Sequence, residues 1–252
     1  MKNIIELKLP REATKYLLFQ RTPYLLYRRS KFVQKINSLL PKRIAYALES
    51  LFSNYDFTVS LEAQLTRNKV QNLFSIDMNN EYNEIKKYLP QKVESILDIG
   101  CGIPGIDVLL NHHYQNLQPK IFLLDKTEMP KKVYYSLTNR GCFYNSLPVA
   151  KKFLEINNVS KEKIFTQEAT DNNEINFSGP FDLVISLISW GFHYPVSTYL
   201  DTVYNKLSQG GKLIIDVRKT PLSNPLQEIK NKFREVSIIK ESNKHWRLVA
   251  IK

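Results

Sequence analysis

Ser95-Ile96-Leu97-Asp98-Ile99-Gly100-Cys101-Gly102-Ile103-Pro104-Gly105 is the stretch from which the rest of this chain can be read. Its first half is a short apolar run ending in glycine, which reads as a buried strand feeding a turn. Ile106–Tyr114 (IDVLLNHHY) then reads as a helix. Glycines between the two let the backbone turn sharply and let a ligand reach the amide groups without a side chain in the way. The helix that follows offers unpaired N–H groups and a partial positive charge. Asp98 stands at the strand end, where its carboxylate can accept hydrogen bonds from a ligand amine or a backbone N–H.

Working outward, apolar runs and helical patterns alternate. Lys120–Asp125 (KIFLLD), Lys163–Glu168 (KIFTQE), Phe181–Ile188 (FDLVISLI) and Gly210–Val217 (GGKLIIDV) read as strands. Asn145–Val159, Val196–Leu207 and a stretch near Leu226–Phe233 read as helices between them. Such alternation implies a largely parallel sheet with helices on both faces. Glu235–Ser242 and His245–Lys252 are strands too close together for a crossover helix, so they pair as an antiparallel hairpin. The expected architecture is α/β, a Rossmann-like doubly wound mixed sheet of seven strands with a terminal hairpin. It occupies residues 91–252.

Residues 1–90 have a different character and are expected to form a basic helical extension covering the acceptor side of the sheet. Tyr16, Leu17 and Phe19, then Leu25 and Leu26, then Phe32, Val33, Ile36, Leu39 and Leu40 fall at helical spacing, punctuated by Pro23 and Pro41. Tyr82–Leu89 reads as one more helix, closed by Pro90. The formal net charge is +12, and residues 1–50 hold eleven Lys/Arg against three acids. A basic face attracts phosphates, anionic substrates or lipid headgroups, and equally serves as a solvated surface. Hydrophobic residues make up 43% of the chain, enough for a packed core. No apolar run approaches the ~20 residues of a membrane span, and the start has no apolar core of a signal peptide. Cys101 and Cys142 give neither a disulfide framework nor a metal spacing, so a reducing cytoplasm is the expected compartment.

Gly100, Gly102 and Gly105 also satisfy Gly-x-Gly-x-x-Gly, the dinucleotide fingerprint. An aspartate two residues before the first glycine would repel a pyrophosphate and welcome a sulfonium bearing an ammonium group. Leu97–Gly105 (LDIGCGIPG) resembles the first motif of the class I S-adenosylmethionine-dependent methyltransferases. Phe181–Lys219 is similar to that family's block of fourth strand, helix and fifth strand, with NKLSQGGKLII the most similar part. The resemblance spans about residues 90–252. Pro104 departs from it, since many members carry glycine there.

The resemblance implies S-adenosyl-L-methionine as cofactor and supplies roles for individual residues. Asp98, Gly100, Cys101, Gly102 and Gly105 form the cofactor loop, Cys101 through its backbone. Asp125, with Lys126 beside it, closes the second strand where the family places an acid for the ribose hydroxyls. Glu168, Ala169 and Thr170 follow the third strand near the adenine, with Asp171 as an alternative carrier. Ser186 and Leu187 close the fourth strand under the methionine portion. The region after that strand, Ser189–Pro195, faces the transferable methyl. There His193 is the candidate general base, because its ordinary pKa lies near neutrality. The same histidine could instead cap or pack the next helix. Trp190, Phe192 and Tyr194 are candidate walls for a flat or saccharide acceptor, or core packing.

Some absences narrow the chemistry. The fourth strand is not followed by the Asn/Asp-Pro-Pro-aromatic motif of exocyclic-amine methyltransferases, there is no Pro-Cys pair for cytosine C5 attack, and FDLVISLI lacks the strand-end aspartate of ribose 2′-O-methyltransferases. The long connection Lys126–Phe143, with Lys131, Lys132, Tyr134, Tyr135 and Arg140, reads as a lid for an anionic acceptor or a solvated excursion. The expected function is transfer of methyl to an oxygen or nitrogen of a small-molecule or saccharide-like (glycan) acceptor, anionic acceptors included. The alternatives are an RNA methyltransferase gripping nucleic acid through its basic N-terminus, an NAD(P)-dependent oxidoreductase, and a non-catalytic cofactor-binding scaffold.

Overall fold

The structure, a computed structural model, describes residues 4–24, 55–127, 145–221 and 223–252. The helices expected around Leu25–Leu40, the basic cluster from Arg28 to Arg43 and the side chains from Lys131 to Arg140 lie outside the described residues.

The strands are β1 (Ser95–Ile99), β2 (Lys120–Asp125), β3 (Ile164–Glu168), β4 (Phe181–Ser186), β5 (Ser189–Tyr194), β6 (Leu207–Arg218), β7 (Glu235–Glu241) and β8 (His245–Ile251). The helices are α1 (Ala13–Gln20), α2 (Tyr55–Leu65), α3 (Arg67–Ile85), α4 (Gly105–His113), α5 (Leu147–Ile156), α6 (Leu200–Lys206) and α7 (Pro225–Lys232). Seven strands form one sheet in the order β3-β2-β1-β4-β6-β8-β7, and β8 runs antiparallel to both neighbours. The mixed Rossmann-like sheet and its reversed terminal pairing match the reading of the sequence. β1 is first in the chain and central in the sheet, so the order reverses beside it. That reversal opens a crevice at the strand carboxyl ends.

Local chemistry explains the elements. β1, β2 and β4 are buried on both faces, hence their continuous apolar runs, whereas the edge strand β7 is largely exposed and carries charge. α5 buries Leu147, Ala150, Phe153 and Leu154 on one stripe and begins with proline in its first turn. The Asn224 side chain accepts from the Gln227 amide to cap α7. Among the described residues, no helix is long and apolar enough to cross a membrane.

The first residues depart from the helical reading. Residues 4–10 run extended, with Leu7 and Leu9 buried. Their backbone is served by side chains one turn apart on α3: Asn79 Oδ1 accepts from Ile5 N at 3.1 Å, Ser75 Oγ from Leu7 N at 3.0 Å and Gln71 Oε1 from Leu9 N at 3.0 Å. Two residues of extended chain advance about 6.6 Å and four of helix about 6 Å, so the two periods run in step. On the other side, Asn157 at the end of α5 bonds both backbone groups of Lys8. The N-terminal segment and α1 share one apolar cluster with α3, α4, α5 and β2.

A second addition is β5, which lies against β6 in a segment given no strand in the sequence reading. A Cβ on Gly191 would stand 3.0 Å from the Asp216 carbonyl oxygen, so the close approach of the two strands needs glycine there.

α3 is tied to the far side of the sheet by charge. Arg247 on β8 is fully buried and donates to both oxygens of Asp216 on β6, at 2.7 and 2.8 Å. It also donates to Glu84 at 2.7 Å and to Glu81, both on α3. The bidentate geometry satisfies the guanidinium and a carboxylate with no water access. Replacing Arg247 by Met leaves Asp216 buried and unpaired, and is expected to lower stability by roughly 3–5 kcal/mol. Urea unfolding checks this, with the double variant Arg247→Met, Asp216→Leu expected to recover most of the loss.

Candidate functional site

The site lies at the carboxyl ends of β1, β2 and β4. Alternation along β1 sends Leu97 and Ile99 to one face of the sheet and Ile96 and Asp98 to the other, under α4. The same alternation on β2 places Asp125 on the α4 face with Ile121 and Leu123. Asp107 lies in the first turn of α4, in a run from Gly105 to Leu110 that is wholly buried. Three carboxylates are thereby gathered below the glycine turn, each less than a tenth exposed. Among the described residues none forms an ion pair with a lysine or arginine.

Asp125 is the best satisfied of the three. Its Oδ2 accepts from Gly102 N at 2.7 Å and from Asn145 Nδ2 at 2.9 Å, and its Oδ1 from Lys126 N at 2.7 Å. Burial still raises its pKa against these bonds. Asp98 and Asp107 face each other closely enough to share a proton, yet neither oxygen of Asp107 has a hydrogen bond of ordinary geometry. Burial pushes Asp107 up to about 7, and burial with the Asp107 and Asp125 charges raises Asp98 well above the carboxylate range. Burial and the same acids also push the Cys101 thiol up, so it stays an unreactive neighbour of Asn145.

The glycines of the loop make room for the protein's own side chains. Gly100 has φ +74°, and a Cβ there would fall 1.7 Å from Ser189 Oγ, with the Tyr194 hydroxyl also within van der Waals range. The Gln20 side chain on α1 lies against Gly102, and its Oε1 accepts from Ile103 N at 3.4 Å. Gly105 packs on Phe74 and Met78 of α3. Gln20, Asn145 and Asp107 escaped the reading of the sequence, and Ser189 entered it only as the start of the segment after the fourth strand. Of these only Asp107 left a signal, a lone acid within an otherwise apolar helical turn.

The other expected residues fall as follows. Glu168 accepts from the Thr127 amide at 2.8 Å and from its hydroxyl, and Ala169 N donates to Asp125 O at 2.8 Å, so the end of β3 stands beside Asp125. Thr170 and Asp171 are exposed beyond it. Ser186 is buried and its hydroxyl is engaged, donating to Ile99 O at 2.7 Å and accepting from Trp190 N at 3.0 Å. Leu187 packs on the apolar cluster under α3 and α4. Trp190, read as an acceptor wall or as core packing, is fully buried, with Nε1 donating to Val196 O at 2.9 Å. Its place on β5 turns it into the core, where its area and N–H are both satisfied. Tyr194 on the same strand reaches the glycine turn, where its hydroxyl lies beside Gly100 with Ser189. Phe192 and His193 sit further out, their ring centroids 5.0 Å apart. His193 Nδ1 is buried without a partner, and burial with the nearby Arg218 charge lowers this histidine to about 4.

No protein-family model and no curated protein matches the chain. Among solved structures it is similar to the StiE O-methyltransferase segment 961–1257, at 12% identity and a TM-score of 0.50, covering 73% of this chain and 76% of that one. It is also similar to the precorrin-6y C5,15-methyltransferase of Geobacter metallireducens GS-15, at 14% identity and 0.48, covering 72% and 89%. A third, from Nostoc punctiforme PCC 73102 and named as an O-methyltransferase, has 18% identity and 0.47, with 69% of this chain covered and 57% of that protein. At these identities the likeness speaks for architecture: the chain has the α/β Rossmann-like methyltransferase fold.

The raised pKa of Asp107 carries a stability consequence. Its value in the folded protein lies above the ordinary 3.8, so unfolding releases a proton between the two and stability falls as pH rises from about 4 through about 7. Asp107→Asn removes this dependence. The ligand-free variant is expected to exceed the wild type by on the order of 1–3 kcal/mol at pH 8, and by less at pH 5. Urea unfolding at the two pH values tests it, and parallel pH dependence in both proteins would contradict the buried-acid reading.

Proposed function

We propose that the chain binds S-adenosylmethionine at the glycine turn and transfers its methyl group to an oxygen or nitrogen of a small-molecule or saccharide-like acceptor. One observation carries this reading: Asp98, Asp107 and Asp125 are buried under the turn with no basic partner among the described residues. Buried carboxylates call for a cation. A dinucleotide would bring a pyrophosphate to the same place, where its charge would oppose ionisation of each of these acids, whereas an ammonium favours it. The residues present fit a ligand with an ammonium and a sulfonium, Asp98 and Asp107 toward the amine and Asp125 toward hydroxyl groups. Residues 1–90 are then an appended cover and 91–252 the catalytic unit.

When bound, the cofactor supplies an activated methyl, and the protein supplies orientation. Asp125 fixes the loop through Gly102 N, which holds the site in shape. Ser189 and Tyr194 close over Gly100 between the turn and β5 and exclude water from the reacting atoms. His193 is the proposed general base. Lowered to about 4, it is neutral at physiological pH and able to accept a proton at Nδ1, which has no other partner. The RNA alternative rests on N-terminal charge that falls mostly outside the described residues, and no other observation favours it.

Titration calorimetry tests the cofactor. S-adenosylhomocysteine is expected to bind and NADH is not, and Asp98→Asn is expected to weaken binding by about tenfold or more. Tight NADH binding with no S-adenosylhomocysteine binding would overturn the assignment. For the base, His193→Ala is expected to cut turnover of any acceptor found by about 10²-fold or more while sparing cofactor affinity. The base works only when unprotonated, so the wild-type rate rises with pH through about 4 and is level near neutrality. A fully active His193→Ala enzyme would remove the histidine from the chemistry.

A further inference from the structure

Arg218 ends β6 on the ligand side of the sheet and is partly buried. Its Nε donates to the Phe192 carbonyl oxygen at 2.8 Å, and the guanidinium carbon lies 4.3 Å from the Phe192 ring centroid. This leaves four of its five N–H donors to be satisfied. The neighbouring cations are matched: Lys219 pairs with Glu241 at 2.5 Å, and Arg247 with Asp216. No carboxylate among the described residues pairs with Arg218. Two more groups without partners lie around the same ring. His193 Nδ1 and His245 Nε2 are both buried and unbonded, with ring centroids 5.0 and 5.8 Å from that of Phe192. Burial lowers the pKa of Arg218 with nothing opposing it, as for a cation desolvated ahead of its counter-ion.

We propose that Arg218 anchors an anionic group, a carboxylate or a phosphate, on the molecule that this site takes beside Phe192 and His193. The guanidinium is already stacked and held at Nε, so its outer edge presents a fork suited to two oxygens of one anion. That the anion belongs to a methyl acceptor rests on the function proposed above. The anion site itself does not.

Glucuronate, glucose 1-phosphate, inorganic phosphate and neutral glucose serve as probes, each titrated into the full chain with and without S-adenosylhomocysteine. The charged probes are expected to bind and glucose to bind at least tenfold more weakly, and the glucuronate and phosphate arms separate the two anions. Arg218→Gln is expected to lose tenfold or more for the charged probes and to leave S-adenosylhomocysteine affinity unchanged. If that variant does not fold, Arg218→Lys, which keeps the charge and loses the fork, is expected to lose several-fold. Equal affinity for charged and neutral sugars, or charged binding that survives both substitutions, overturns the proposal. Anion binding without S-adenosylhomocysteine binding would sink the methyl-transfer reading and leave the anion site standing, and the converse holds equally.

Discussion

A carboxylate removed from water without a cation is among the least favourable groups a protein can bury, and this fold buries three in one place. Burial raises the pKa of two of them, Asp98 and Asp107, so each gives up its proton less readily and the cost of charge is lessened. The third, Asp125, relieves it with hydrogen bonds from Gly102, Lys126 and Asn145. Those bonds reach across three separate elements: the turn after β1, the end of β2 and the residue leading into α5. The shape of the glycine turn therefore depends on the bonds that Asp125 accepts, while the charge state of its neighbours stays open to a ligand.

Much of this was legible in the sequence because the central strands are apolar on both faces and the loops between them carry strong turn chemistry. The seven strands, the terminal antiparallel pairing and the place of Asp98 and Asp125 at strand ends all follow from those local signals, while the order of the strands does not. The extended run at residues 4–10 did not show, since its hydrogen-bonding partners, Gln71, Ser75 and Asn79, lie more than sixty residues away. Its alternation of Leu7 and Leu9 is also too short to outweigh the helical spacing that follows. β5 was hidden because Ser-Trp-Gly-Phe-His-Tyr has no clean alternation, and the contact that makes it a strand is the bare backbone of Gly191 against Asp216. Trp190 stayed open between two roles for a related reason: an aromatic near a site offers area to a ligand and to a core alike, and only the direction of β5 decides between them.

The glycines show where reading by motif and reading by structure part. Motif reasoning makes Gly100 and Gly102 openings for a ligand. In the structure Ser189 and Gln20 occupy those openings, one from β5 and one from α1. Both are single polar side chains at the ends of elements, and hydroxyl and amide groups exchange hydrogen bonds with a ligand at small net cost. The turn is thus in contact with the strand beside the reacting region on one side and with the N-terminal helices on the other. On the proposed reading, cofactor and acceptor sense each other through these same contacts.

Charge is sorted along the sheet. The unpaired acids belong to β1, β2 and α4, and the unpaired cation and imidazoles to β5, β6 and β8. β4 stands between β1 and β6 in the sheet order, and Arg218 lies four residues past Ile214, the residue level with Asp98, so the two are on the order of 16 Å apart across and along the strands. That separation suits two molecules side by side, one cationic and one anionic, each drawn to its own half. An anionic acceptor placed the wrong way round would meet Asp98 and Asp107 and leave Arg218 unmatched. On the proposed reading, the same groups that favour a cationic donor orient its partner, and orientation is most of what methyl transfer from an activated donor asks of a protein.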